Sequence, residues 1–447
     1  MTSIPPPSFA SGLGRRTLVI VAAAGLLAAP ALLLRAFCVG ESCRRQAAPE
    51  VRAPFCSLDP QLRRLLADGY RQGRSPEVLV VTSEDATVAG ATGLEDLSAP
   101  WPSVEDVDAG RVPLVFQGAG IDPAAEVPAA TPLVDLAPTA AAILDVRVPH
   151  PGVRSGEAIP GVAAGGPARL VVLVVWKGVG SDDLEASPAA WPTLRRLLRE
   201  AAGTLDARVG SLPLDPTAVL TTIGTGGLPR EHGITGSTLR NEEGKAVPAW
   251  GRGAPYSVIA ALGDDLDEVL GQRPLVGLVG ASALDRGVIG KDWHLRTDQD
   301  EVVLKDRAVR QADAAADLLA GGYGADDVPD LLAVVMHDRV PAMDRALQRV
   351  VQAVPPSTAV VVTSTGPLAA EEAVGADRIR AEVEGAGAGL TEAVAVGGLF
   401  LDQDVLVEAD ASQEDVIRAL RGIRASIGGP MFADVFGGRA VEFGRYC

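Results

Sequence analysis

The chain predicts an α/β body built on a doubly wound, mostly parallel sheet, preceded by one N-terminal transmembrane helix. Three observations predict it: short continuous apolar runs, helix-period segments between them, and one long uncharged stretch near the start.

The uncharged stretch comes first. Residues 18–34, LVIVAAAGLLAAPALLL, are long enough to cross roughly 30 Å of hydrocarbon as a helix. Arg15 and Arg16 before the span favour a cytoplasmic N-terminus, whereas Arg35, Arg44 and Arg45 beyond it weaken that rule. Cysteine supplies the second argument. Cys38, Cys43, Cys56 and Cys447 all follow the span and none lies within the hydrophobic body, an even and peripheral set that implies disulfides and an oxidising compartment. A cleaved signal is the rival to an anchor, yet the Arg-Ala-Phe-Cys that follows Leu34 offers no small-x-small cleavage site. Arg15-Arg16-Thr17-Leu18-Val19 also loosely fits a twin-arginine signal. The expected layout is a cytoplasmic N-terminus at 1–16, a signal anchor at 17–37, a linker at 38–55, and a body at 56–447 outside the cytoplasm, held at the cell membrane.

The body follows the linker. Runs at 78–82, 112–116, 170–175, 331–335 and 359–363 are apolar save for a closing Thr82 or Thr363 and are bounded by turn residues, as parallel strands covered on both faces would be. Helical patterns alternate with them at 57–70, 136–144, 192–202, 307–319 and 343–354, with a further helix near 414–426. Asp135 is placed to cap the helix from 136, with Pro138 in its first turn. Gly, Pro and Ala dominate 151–167, which reads as a connector. Only 4% of the residues are aromatic, so Ala, Val, Leu and Gly must supply the packing. The net charge of −17 and the absence of a basic stripe argue against a nucleic-acid partner.

From 170 to 234 the chain resembles the alkaline phosphatase superfamily, in particular its phosphodiesterase and nucleotide pyrophosphatase branch. The features run in order: the apolar strand at 170–175, Lys177-Gly178, Asp182-Asp183-Leu184, Pro192-Thr193-Leu194, Thr225-Gly226, and Pro229-Arg230-Glu231-His232-Gly233-Ile234. Met343-Asp344-Arg345 and the strand ending Thr363-Ser364-Thr365-Gly366 are similar to the family's middle section, and 111–159 to its C-terminal section. The order implies a circular permutation, with 56–160 corresponding to the family's tail, 168–370 to its beginning and middle, and 371–447 to an inserted or cap region. Permutation in turn implies that Cys56 and Cys447 are bonded, which leaves Cys38 and Cys43 to pair with each other.

Active members of that superfamily hold two zinc ions on aspartates and histidines around a Thr or Ser nucleophile, so the resemblance implies where each group should stand. Lys177 takes the place of the first aspartate, and an ammonium cannot coordinate a cation. Thr365 and Gly366 replace an Asp-His pair, and the loop after 335 is shortened to His337 and Asp338. Thr217 or Ser211, near Asp215, can stand for the nucleophile only with a shift of register. Of the four histidines, His232 belongs to a structural turn, and His150 and His294 read as solvated or locally bonded.

The resulting expectation is a membrane-anchored pseudoenzyme with no metal ligands and no cofactor, serving to bind or to scaffold. Its partner would be an envelope protein, or an anionic ligand held by Lys177. For Lys177 the other expectation is an internal salt bridge with Asp182, Asp183 or Asp215. The alternative function is a phosphodiesterase or phosphatase with a rearranged site drawn from Asp182, Asp183, Asp215, Thr217, His337 and Asp338, of which Thr217, Asp215, His337 and Asp338 are the catalytic candidates.

Overall fold

A computed structural model describes residues 55–83, 88–91, 98–108, 110–122, 124–291, 293, 299–368, 374–385, 389–425, 428–444 and 447. The predicted span at 18–34, the Cys38 and Cys43 pair and His294 lie outside these residues. Among the described residues no helix is long and apolar enough to cross a membrane.

The strands of two sheets carry the architecture: β1 (Val78–Thr82), β2 (Arg111–Gly118), β3 (Leu170–Trp176), β4 (Ala202–Arg208), β5 (Val276–Gly280), β6 (Glu301–Leu304), β7 (Asp330–Met336), β8 (Thr358–Ser364), β9 (Thr391–Ala395), β10 (Gly398–Leu401) and β11 (Phe432–Gly437). The larger sheet has the order β6-β5-β7-β3-β8-β2-β4 and the smaller β9-β10-β1-β11. In the larger, β6, β5, β7, β3 and β8 are mutually parallel, with β3 at the centre, where Leu170 pairs with Asp330 on β7 and Thr358 on β8.

Two of the expected parallel strands are corrected. The run 112–116 lies in β2, which is antiparallel to β8. The run 78–82 is β1, which belongs to the smaller sheet and is antiparallel to both β10 and β11. Apolar continuity reports burial on two faces; direction depends on which segment the backbone meets, and side-chain pattern does not encode that.

Alternation along the central strands explains the layers. Val171, Leu173 and Val175 of β3 face one core with α2 (Leu136–Ile143), α4 (Pro216–Thr225) and α5 (Leu262–Leu270). Val172, Val174 and Trp176 face the other, with α3 (Pro192–Glu200), α6 (Ala308–Ala320) and α7 (Val340–Ala353). Each fully buried Val or Leu contributes about 1.5–3 kcal/mol, so a strand apolar on both faces stabilises both layers. The expected helices at 192–202, 307–319 and 343–354 are these last three, with ends shifted by a few residues. Helix α4 escaped the sequence reading because it is buried on every side and shows no amphipathic stripe.

Asp135 stands at the N-cap position of α2, as expected, but its side chain makes no capping hydrogen bond there. Its backbone closes a short 3-10 turn, and its Oδ1 accepts from the Glu157 N–H at 2.9 Å. The smaller sheet buries Val78 and Val80 against α8 (Ala376–Glu384) and α9 (Gln413–Gly422). Its other face, including Leu79 and Phe436, packs with α1 (Pro60–Gly69). Cys56 and Cys447 are disulfide-bonded, with Cα atoms 5.4 Å apart across a sequence separation of 391 residues.

Candidate functional site

In a parallel sheet the loops at the C-terminal strand ends are where ligands bind, because the crossovers leave that edge open. Here the relevant ends are those of β3, β5, β7 and β8. Lys177 follows β3 directly. Its N–H donates to the Met336 carbonyl at 2.8 Å, and its Nζ crosses the end of β7 to Asp285 Oδ1 at 2.7 Å. Lys177 is 2% exposed and the Asp285 side chain 1%. Asp285 is further held by the N–H groups of Ala281 and Ser282, at 2.7 and 3.1 Å. Its partner is therefore none of Asp182, Asp183 and Asp215, and it does not face an open cleft.

A buried pair of this kind is satisfied on both sides and offers a ligand no free charge. Asp285 was missed in the sequence, although Ser282 and Asp285 have the S-x-x-D spacing of a helix start just after an apolar run.

The strand ends next to Lys177 are tied together by hydrogen bonds. Thr365 Oγ1 accepts from the Gly178 N–H at 3.1 Å, Ser364 Oγ donates to the Val179 carbonyl at 2.6 Å, and Val179 bridges Gly366. Gly178 and Gly366 both adopt left-handed backbone, with φ of 73° and 97°. The space a side chain would take at Gly178 is occupied by Leu368, and that at Gly366 is flanked by Leu214. Apolar side chains thus fill the region where the resemblance implies metal ligands.

Asp215 caps α4. Its Oδ1 accepts from the Thr217 N–H and its Oδ2 from the Ser237 N–H, both at 2.9 Å. Burial pushes its pKa up against those hydrogen bonds. Thr217 and Ser211 are buried too. Asp182 is exposed and pairs with Arg111 of β2, while Asp183 accepts from the Gly180 N–H at 2.7 Å. His337 and Asp338 follow β7, where Asp338 accepts from the adjacent Arg339 N–H at 2.8 Å. The carboxylates of the proposed rearranged site are engaged separately: Asp183 and Asp215 at helix starts, Asp338 in its own loop, and Asp182 with Arg111 of β2. Among the described residues no group of three or more His, Cys, Asp or Glu side chains could hold a metal ion. The residues present do not fit a zinc pair: a cation, a threonine and a glycine (Lys177, Thr365 and Gly366) stand at the implied ligand positions, and the nearby carboxylates are engaged elsewhere.

The most specific phrases of the resemblance have structural explanations. His232 is fully buried; its Nδ1 accepts from the Ile234 N–H at 3.1 Å, which leaves Nε2–H to donate to Thr222 Oγ1 at 3.1 Å. Burial, aided by Arg71 and Arg74, lowers its pKa to about 3, so it stays neutral. Glu231 accepts from the Leu228 N–H at 2.9 Å, and Asp344 from the N–H groups of Thr193 and Leu194, both at 3.0 Å. His150 is exposed, as its loop predicts.

No family model matches the chain, and no curated protein matches it. Solved structures do. The alkaline phosphatase PafA is 13% identical, over 58% of this chain and 76% of that one, with a TM-score of 0.40. A substituted form of the same phosphatase is 14% identical, over 57% and 76%, with a TM-score of 0.38. Murine ectonucleotide pyrophosphatase/phosphodiesterase 5, in an inactive form bound to AMP, is 12% identical, over 44% of this chain and 56% of that one, with a TM-score of 0.32. The structural neighbours of this chain thus include an alkaline phosphatase and a nucleotide pyrophosphatase/phosphodiesterase.

Proposed function

We propose that the protein is a membrane-anchored, extracytoplasmic pseudoenzyme of alkaline-phosphatase-like type that serves as a scaffold for an envelope protein. The Lys177–Asp285 pair carries this reading. The residue at the position implied for the first metal ligand is a cation, and its charge is neutralised inside the protein. The same pair disfavours the anionic-ligand version, because Lys177 has no accessible charge to give. Permutation is part of the proposal; what supports it is the bond between Cys56 and Cys447 and the position of β1 between two strands from the far end of the chain.

The test is elemental analysis of the purified full chain together with hydrolysis of phosphate mono- and diesters. We expect substoichiometric zinc and no turnover above background. Two zinc ions per chain, with turnover that chelation removes, would overturn the proposal in favour of the phosphodiesterase or phosphatase. Protease protection in intact cells tests the location, since cleavage of the body from outside is the expected outcome.

A further inference from the structure

The larger sheet ends on β6. Glu301, Val302, Leu304 and Lys305 are exposed there and Val303 is half-buried. β6 runs parallel to β5, with Val302 opposite Leu278, and the Lys305 N–H donates inward to the Gly280 carbonyl at 2.8 Å. Alternate residues of a parallel strand bond to opposite sides. The inward bond of Lys305 therefore turns the backbone groups of Val303 inward and those of Val302 and Leu304 outward, where no strand pairs with them among the described residues. Edge strands are ordinarily blunted by charge, proline or a bulge, yet Val302 and Leu304 are apolar and 39% and 46% exposed.

We propose that β6 is a self-pairing edge, through which two copies of this chain join antiparallel about a two-fold axis at Val303. Three features of the segment agree with that register. The outward-facing residues Val302 and Leu304 fall opposite each other, so each pair exchanges two hydrogen bonds. Val303 meets its own copy at the closely spaced, non-hydrogen-bonded position. Glu301 falls opposite Lys305 of the second copy, and symmetry makes that charge pair twice. Moving the axis to Val302 sets Leu304 against Asp300. Moving it to Leu304 sets Val302 against Asp306 and puts the opposite-charge pair of Glu301 on Arg307, which stands at the N-cap of the next helix, beyond the strand end at Leu304. The axis at Val303 is thus the one that keeps Val302 and Leu304 against apolar partners. An edge this short supports a concentration-dependent dimer.

The test uses the purified full chain carrying Cys38→Ser and Cys43→Ser. Sedimentation over a concentration series is expected to show a monomer–dimer equilibrium, and Val303→Cys to give a covalent dimer on mild oxidation. Glu301→Lys or Lys305→Glu alone places like charges opposite each other twice and should weaken the dimer by about tenfold. The double variant Glu301→Lys/Lys305→Glu should restore it. A chain that stays monomeric and leaves Val303→Cys unlinked overturns the proposal. So does a dimer indifferent to the single reversals, or one that the double reversal fails to recover.

Discussion

The two sheets reach stability by different routes. In the larger sheet β7 and β8, which flank β3 and follow each other in the chain, are joined through a single covering helix, and β3, β7 and β8 are buried along their whole length. The smaller sheet is assembled from segments more than 300 residues apart, since β1 lies between β10 and β11. Closing so long a loop carries a larger entropy cost than joining neighbours. The smaller sheet accordingly concentrates long-range locks. The disulfide is one. Arg240 is another: its guanidinium reaches Glu77 at 2.7 Å, also pairs with Glu392, and lies 5.1 Å from the centre of the Phe400 ring.

The largest expected effect falls in the larger sheet. Lys177→Ala strands a buried carboxylate at Asp285 and should cost about 3–5 kcal/mol in urea unfolding. Lys177→Met with Asp285→Leu should recover much of it, because both charges leave together. A single variant within 1 kcal/mol of the parent, judged against roughly that scale, would mean that the pair is not buried.

Cys447→Ser should cost about 2–5 kcal/mol, and the comparison predicts where the loss appears. Amide exchange should rise in β1 and β11 while β3 and β7 remain protected. Equal loss in both sheets would make them one cooperative unit. Arg240→Ala should cost about 2–3 kcal/mol with the same distribution, read by the same exchange experiment.

Acidity supplies the smallest lever. Burial raises the pKa of Asp264 and of Asp300 to about 7, against the opposing charge of Arg286. A carboxyl raised above its unfolded value of 3.8 binds its proton more tightly in the fold. Its stabilising contribution is complete below that unfolded value and is lost as pH rises through about 7. The chain should thus become more stable between pH 8 and pH 6, and Asp300→Asn should flatten the profile, checked by thermal unfolding across that range.

Much of the candidate site was legible residue by residue. Lys177, Thr365 and Gly366 could be recognised as unfit for metal from side-chain chemistry alone. Asp285, Leu214 and Leu368 could not be assigned to the site, because they come from separate loops and meet Lys177, Gly366 and Gly178 only through the fold.

The sequence by itself determined which segments are buried and by which period, since apolar runs and helical stripes are local properties of the chain. It also set the charges that a site can carry. Only the tertiary structure decided that 112–118 runs against its neighbour, that 78–82 leaves the larger sheet, and which carboxylate neutralises Lys177. The reason is physical: strand direction and ion pairing depend on which distant backbone arrives alongside, and burial can be satisfied by more than one neighbour.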